Sequence, residues 1–150
     1  MRRSSAIRPG RADMDGAKIS PELLARLSDR GGQRTFARGD FLIREGEAST
    51  DVFILLAGEL RAFTSDASGH ELVFNRMTPG EFFGELSLDG GPRSASVQAT
   101  TGAICVVVSQ AEVQAFLGEY PEFAKALVMK LIARVRKATA QAKSLGLDAE

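Results

Sequence analysis

The chain has 150 residues and a mass of 16.0 kDa, with 44% hydrophobic and 25% charged residues, the size and composition of one globular domain. Nineteen Lys and Arg balance nineteen Asp and Glu, which excludes whole-chain attraction to nucleic acid or anionic lipid, and no run approaches the ~18 apolar residues of a membrane span. One Cys and one His exclude an internal disulfide and a His/Cys metal site within the chain, and leave His70 as the only histidine a catalytic triad could use.

Most enzyme classes are thereby disfavoured, and no catalytic or metal-ligating residue is expected. A single Cys suits a reducing, cytoplasmic setting, and no apolar run follows the Arg-rich start to make a signal peptide. The charge balance hides an uneven distribution. Residues 1–16 hold four Arg against two Asp, residues 122–143 hold six bases against Glu122, and residues 17–121 hold nine bases and fourteen acids. The chain reads as an acidic body with a basic segment at each end.

In chain order, residues 1–16 mix Arg, Ser, Gly and Pro with little to bury, which predicts a disordered arm before one domain over 17–150. Ser20 and Pro21 open a short helix as N-cap and first helical residue, and Gly31-Gly32 closes it. From Gln33 to Ser109 the pattern changes to short runs rich in Val, Ile, Phe and Thr, divided by Gly. Strands are predicted at Thr35–Ala37, Phe41–Arg44, Val52–Leu56, Glu59–Ser65, Glu71–Met77, Ser94–Thr100 and Ala103–Val108, with another ending at Gly84. Asp66-Ala67-Ser68-Gly69 makes a hairpin turn in which Gly takes positive φ. Such short, regularly spaced strands predict an antiparallel barrel or jelly roll rather than a βαβ protein.

A helical period returns at Gln110–Leu117 and again over Pro121–Leu145. Along the second helix Leu127, Leu131, Val135, Ala138, Ala142 and Leu145 form a coiled-coil-like seam, which Gly146 ends. Cys105, inside Ile104–Val108, reads as a small buried hydrophobe, and His70 as an exposed residue after a turn.

The chemistry is concentrated in Phe82-Phe83-Gly84-Glu85-Leu86-Ser87-Leu88-Asp89-Gly90-Gly91-Pro92-Arg93-Ser94-Ala95-Ser96-Val97. A strand ends at Gly84, Glu85–Leu88 has room for about one helical turn, and Arg93 heads the next strand. Amides at the start of such a turn attract an anion. Arg93 offers a planar fork for phosphate oxygens, Ser94 a hydroxyl donor, and Glu85 an acceptor suited to a sugar hydroxyl. Together they describe a nucleotide site. The alternative from these residues alone is that Glu85 and Arg93 form a structural ion pair that closes a loop over an ordinary Gly-Gly turn.

The segment resembles the phosphate-binding cassette of cyclic nucleotide-binding domains: Phe-Gly-Glu-Leu-(Ala/Ser)-Leu, a short spacer, then Pro-Arg-(Ser/Ala/Thr)-Ala-(Thr/Ser)-Val. The resemblance runs from about Phe36 to Leu145. It includes Gly39-Asp40, Glu45-Gly46-Glu47, Phe53-Ile54-Leu55, Gly58 and Pro79-Gly80-Glu81-Phe82-Phe83. It implies a mainly β fold with flanking helices: an eight-stranded antiparallel β-roll between an N-terminal helix and a long C-terminal helix. Position by position, Glu85 resembles the acceptor of the ribose 2′-hydroxyl and Arg93 the partner of the cyclic phosphate. Gly84, Leu86, Ser87, Ser94 and Ala95 match positions that approach sugar or phosphate, and Ala62 and Phe74 match the apolar wall of the base pocket. Arg134 and Thr139, on the long helix, are candidates to reach back over the ligand.

Two departures stand out. Nine steps separate Gly84 from Arg93, one fewer than is common in the family, which implies a tighter cassette turn. Where catabolite activators carry a Thr-Ser pair that reads adenine, this chain has Ala138 and Thr139. The resemblance implies a non-catalytic sensor whose ligand is cAMP or cGMP, with no other cofactor. Because the chain stops after the long helix, a free-standing module is expected, partnered by a second copy through that helix or by an unidentified effector protein. Direct nucleic-acid or membrane binding is not expected. The alternatives are the sensor half of a DNA-binding regulator and a roll that serves only for oligomerisation.

Overall fold

A computed structural model describes residues 19–146; the arm expected at 1–16 lies outside them. Helix α1 (Pro21–Ser28) begins at the predicted Pro, and its residues Leu23 and Leu27, one helical turn apart, are buried. Eight strands follow: β1 (Gly32–Phe36), β2 (Phe41–Ile43), β3 (Val52–Ala57), β4 (Leu60–Ser65), β5 (Glu71–Met77), β6 (Phe82–Phe83), β7 (Ser96–Ala99) and β8 (Ala103–Val108). A 3₁₀ turn (Glu85–Asp89) lies between β6 and β7, and α2 (Gln110–Glu119) and α3 (Pro121–Ser144) close the described chain.

The strands form two four-stranded sheets, ordered β1-β8-β3-β6 and β2-β7-β4-β5, with antiparallel pairing throughout. This is the expected β-roll with flanking helices. Its core follows from the period of two along a strand. Phe53 and Leu55 of β3, Leu60 and Ala62 of β4, Val97 and Ala99 of β7, and Ala103 and Cys105 of β8 alternate into one cluster with Phe36, Ile43, Met77 and Phe83. The alternate positions Val52, Ile54, Val106 and Val108 are buried too, so β3 and β8 read as nearly continuous apolar runs. On β4 and β7 of the other sheet the alternate positions Arg61 and Gln98 are half-buried and bonded to each other, Arg61 Nη2 donating to Gln98 Oε1 at 2.6 Å.

Two strand starts differ from the sequence expectation by more than one residue. β1 starts at Gly32 instead of Thr35, because Gly32–Phe36 pairs residue by residue with Val107–Ala103 and long-range pairing outweighs the weak strand propensity of Gly32-Gln33-Arg34. β7 starts at Ser96 instead of Ser94. Arg93 therefore does not head a strand. Its N–H donates to the Glu47 carbonyl (2.9 Å) and its carbonyl accepts from Gly46 N–H (2.8 Å), which commits this stretch to the β2–β3 loop.

Residues 21–116 form one compact unit; the residues from Leu117 belong to another. In the latter, α3 has Pro in its first turn and ends before Gly146, whose φ is 74°. Phe123 and Leu127 are buried, whereas Val128, Ile132, Val135 and Leu145 are exposed, Val135 by 65% and Leu145 by 71%. The apolar stripe of α3 thus includes Val128 and Ile132 beside the predicted seam. Among the described residues no helix is long and apolar enough to cross a membrane.

Candidate functional site

The cassette is placed by the pairing of β3 with β6. Phe53 and Phe83 face each other in register, with rings stacked at 5.2 Å between centroids and 7° between planes. Next in the chain, Gly84 turns into the left-handed region at φ 93°. A Cβ there would lie 2.9 Å from the Asp51 carbonyl oxygen and 3.2 Å from Arg93 Nη1. Only Gly satisfies both the dihedral and the approach. It delivers the chain into the 3₁₀ turn Glu85–Asp89, which Gly90, at φ 85°, terminates.

Arg93 lies at the centre. It is 5% exposed, and its planar fork is spread over four protein oxygens. Nε donates to Ser49 Oγ (2.9 Å), Nη1 to the Gly84 carbonyl and Ser87 Oγ (both 3.0 Å), and Nη2 to the Asp51 carbonyl (2.7 Å). Burial pulls the guanidinium pKa below its ordinary value, while the carboxylates of Glu47, Asp51 and Glu85 act in the opposite sense. Glu47 reaches Arg93 through a relay: Ser49 Oγ donates to Glu47 Oε1 at 2.9 Å, and Arg44 N–H holds the same oxygen at 3.2 Å.

Three sequence-predicted polar residues, Glu85, Ser87 and Arg93, are brought together as buried groups in this small region. Gly84 joins them; Leu86 is exposed, Ser94 is exposed and Ala95 is half-buried. Ala62 lies in the core, and Phe74 packs against that core from β5. Arg134 and Thr139 belong to the other unit, Arg134 half-buried and Thr139 exposed. Ser49, Glu47 and Asp51, which hold the arginine, lie 42 or more positions upstream of it, outside the segment that the sequence marks as a site. The Glu45-Gly46-Glu47 motif was the available signal. Gln110 was also missed: its Nε2 donates to the carbonyls of Ser87 and Leu88, both at 3.2 Å. Among the described residues no three His, Cys, Asp or Glu side chains cluster as a metal site.

The domain is an antiparallel β-roll that folds a Gly-Glu-Leu-Ser turn around a buried arginine. The profile of the cyclic nucleotide-binding domain family matches residues 33–120, and the chain belongs to that family. It is 28% identical over 120 residues to a CRP-like cAMP-activated global transcriptional regulator of Mycobacterium tuberculosis, covering 79% of this chain and 54% of that protein. It is 34% identical over 103 residues to a cAMP-dependent protein kinase regulatory subunit of Hypocrea atroviridis, covering 68% of this chain and 21% of the relative. The fold matches the crystal structure of Thermus thermophilus catabolite activator protein with a TM-score of 0.78 at 26% identity, covering 85% of this chain and 61% of that one. The chain thus spans about half the length of the bacterial regulator it resembles.

Proposed function

We propose that this chain is a non-catalytic sensor that binds a cyclic mononucleotide, cAMP or cGMP, and signals through movement of its C-terminal helix. The observation that carries the reading is the grouping of Gly84, Glu85, Ser87 and Arg93 in one turn, with the arginine buried among neutral oxygens. A cyclic phosphate is a charged acceptor and forms stronger bonds to a guanidinium than carbonyls or hydroxyls do, so it competes for the same fork. Glu85 then serves the ribose 2′-hydroxyl, Ser94 and Ala95 the phosphate, Leu86 the sugar, and Ala62 and Phe74 the base. Arg134 and Thr139 are the candidates on α3 to meet the ligand. A ligand shifts helix position only through its difference in affinity between the two positions. Some relatives are named for cAMP and others for cGMP, and with Ala138 in place of the first hydroxyl of the Thr-Ser pair the long helix does not favour adenine, so both nucleotides stay in the proposal. A cytoplasmic location fits such a ligand.

Calorimetry on the purified chain with cAMP, cGMP and cyclic di-GMP tests the proposal. Binding of a cyclic mononucleotide with one site per chain is expected; no heat with any of the three ends it. A second reading, the sensor half of a DNA-binding regulator, is favoured by the transcriptional regulator of which the chain covers 54%. A gel shift with the full natural protein separates the two.

A further inference from the structure

Ser87 is gripped from two sides. Its hydroxyl accepts from Arg93 Nη1 at 3.0 Å, and its carbonyl accepts from Gln110 Nε2 at 3.2 Å. The same Gln110 amide also donates to the Leu88 carbonyl at 3.2 Å, while the Ser87 carbonyl accepts the Gly90 N–H at 2.9 Å as well. A hydrogen-bonded path therefore leads from the buried guanidinium, through a serine that is 1% exposed, to the first residue of α2.

Gln110 is not needed to start that helix. Ser109 caps it, with Val113 N–H donating to the Ser109 carbonyl (3.0 Å) and Glu112 N–H to Ser109 Oγ (3.2 Å). The opposite anchor of α2 is separate: Arg30 pairs with Glu112 at 3.7 Å, and its guanidinium lies 5.2 Å from the centre of the Phe116 ring. The helix is thus held on one side by the segment after α1 and on the other by the cassette.

We infer that Gln110 is a positioning residue that ties the phosphate-binding turn to α2, so that a change in what Arg93 holds is passed to the first turn of that helix. The inference rests on the reading of Arg93 as the phosphate partner. When a phosphate takes Arg93 away from Ser87 Oγ, the serine is released on one side, and the Gln110 bonds carry its displacement to α2. Gln110→Glu isolates the effect. It keeps the side-chain shape, and a carboxylate is favourable in the first turn of a helix, but the donor that faces two carbonyls becomes an acceptor. Gln110→Lys restores a donor of similar reach.

Hydrogen exchange on the whole chain, with saturating cAMP and in a second series cGMP, is the test. In the parent chain the nucleotide should slow exchange both in 85–90 and in 110–116. In Gln110→Glu at matched occupancy, protection of 85–90 should persist while that of 110–116 falls to the ligand-free level; Gln110→Lys should keep both. Persistent protection of 110–116 in Gln110→Glu, or none there in a parent chain that binds, overturns the inference. If the parent chain binds neither nucleotide, the functional reading fails and the tether is judged without ligand. The Ser87 and Gly90 amides should then exchange about tenfold faster in Gln110→Glu and in Gln110→Ala, the loss expected for about one net hydrogen bond. Unchanged exchange in both variants would refute the tether itself.

Discussion

Arg93 Nη2 donates to the carbonyl of Asp51 at 2.7 Å, across 42 positions of sequence. The bond joins the turn before β7 to the residue before β3, and makes the arginine a structural cross-link as well as a candidate anion partner. Both roles can be separated by substitution. Arg93→Ala should weaken cyclic nucleotide binding by at least ~2 kcal/mol, about thirtyfold, for loss of a charged hydrogen-bond pair. It should also lower the melting temperature, because Ser49, Asp51, Gly84 and Ser87 lose their donor together. Arg93→Lys keeps the charge without the fork and should fall between. Calorimetry and thermal melts read the two effects, and an affinity within twofold of the parent would disprove the phosphate assignment.

Gly84 and Gly90 offer a controlled comparison. Both have positive φ, at 93° and 85°, but a Cβ on Gly90 meets nothing within 4 Å, whereas one on Gly84 meets Asp51 and Arg93. Gly90→Ala should cost about 1 kcal/mol, the dihedral penalty alone. Gly84→Ala should cost about 1–2 kcal/mol more, since a backbone carbonyl must shift. Equal denaturation midpoints for the two variants would show that the close approach at Gly84 is unimportant.

Glu85→Gln retains a neutral acceptor, so its loss of affinity should be smaller than that of Arg93→Ala. A 2′-deoxy cyclic nucleotide should bind the parent chain less well and be nearly indifferent to the substitution. Strictly additive losses in this ligand–protein cycle would mean that Glu85 does not touch the 2′-hydroxyl.

Cys105 is wholly buried in the core, and burial pushes its thiol pKa up to about 11. The folded state therefore holds the thiol proton more tightly than the unfolded chain, whose Cys titrates near ~8.5. Stability from this source is complete below pH ~8.5 and is lost as pH rises towards 11, by about 3 kcal/mol in all. Denaturant melts of the parent chain minus Cys105→Ala between pH 8 and 10.5 should show that fall. A difference that stays constant over the range would contradict it.

The exposed stripe of α3, with Val128, Ile132 and Val135, predicts weak self-association. Bases at Arg134, Arg136 and Lys137 oppose the approach of two such helices, so association should tighten with salt. Sedimentation of the parent chain and Val135→Asp at two salt concentrations decides the matter. A parent chain that remains monomeric at high micromolar concentration, with and without nucleotide, removes this surface from the account.

Much of the fold was legible because the local chemistry is consistent from residue to residue. Val52–Leu56 and Ala103–Val108 carry β-branched and aromatic residues between Gly and polar breaks, and they became β3 and β8 with little change. The cassette was legible for another reason: Gly84, Gly90 and Arg93 each stand where few other residues serve, so their spacing is informative. β1 begins before its sequence signal because Gly32-Gln33-Arg34 has no strand character of its own and is extended only by β8.

Local pattern thus specified the alternating strands, the glycine turns, the helix starts and the residue types of the site. The tertiary structure alone decided where the arginine points. Arg93 can offer its five donors to a ligand or to the protein, and the segment from Gly84 to Val97 supplies only two of the four oxygens that hold it, the Gly84 carbonyl and Ser87 Oγ. That choice depends on Asp51 and Ser49, which the β3–β6 pairing brings beside Gly84, and on Gln110, which reaches back from α2. Hydrogen bonds between residues so far apart in sequence leave no periodic trace, because their energy depends on distances of about 3 Å that exist only once the two sheets have closed.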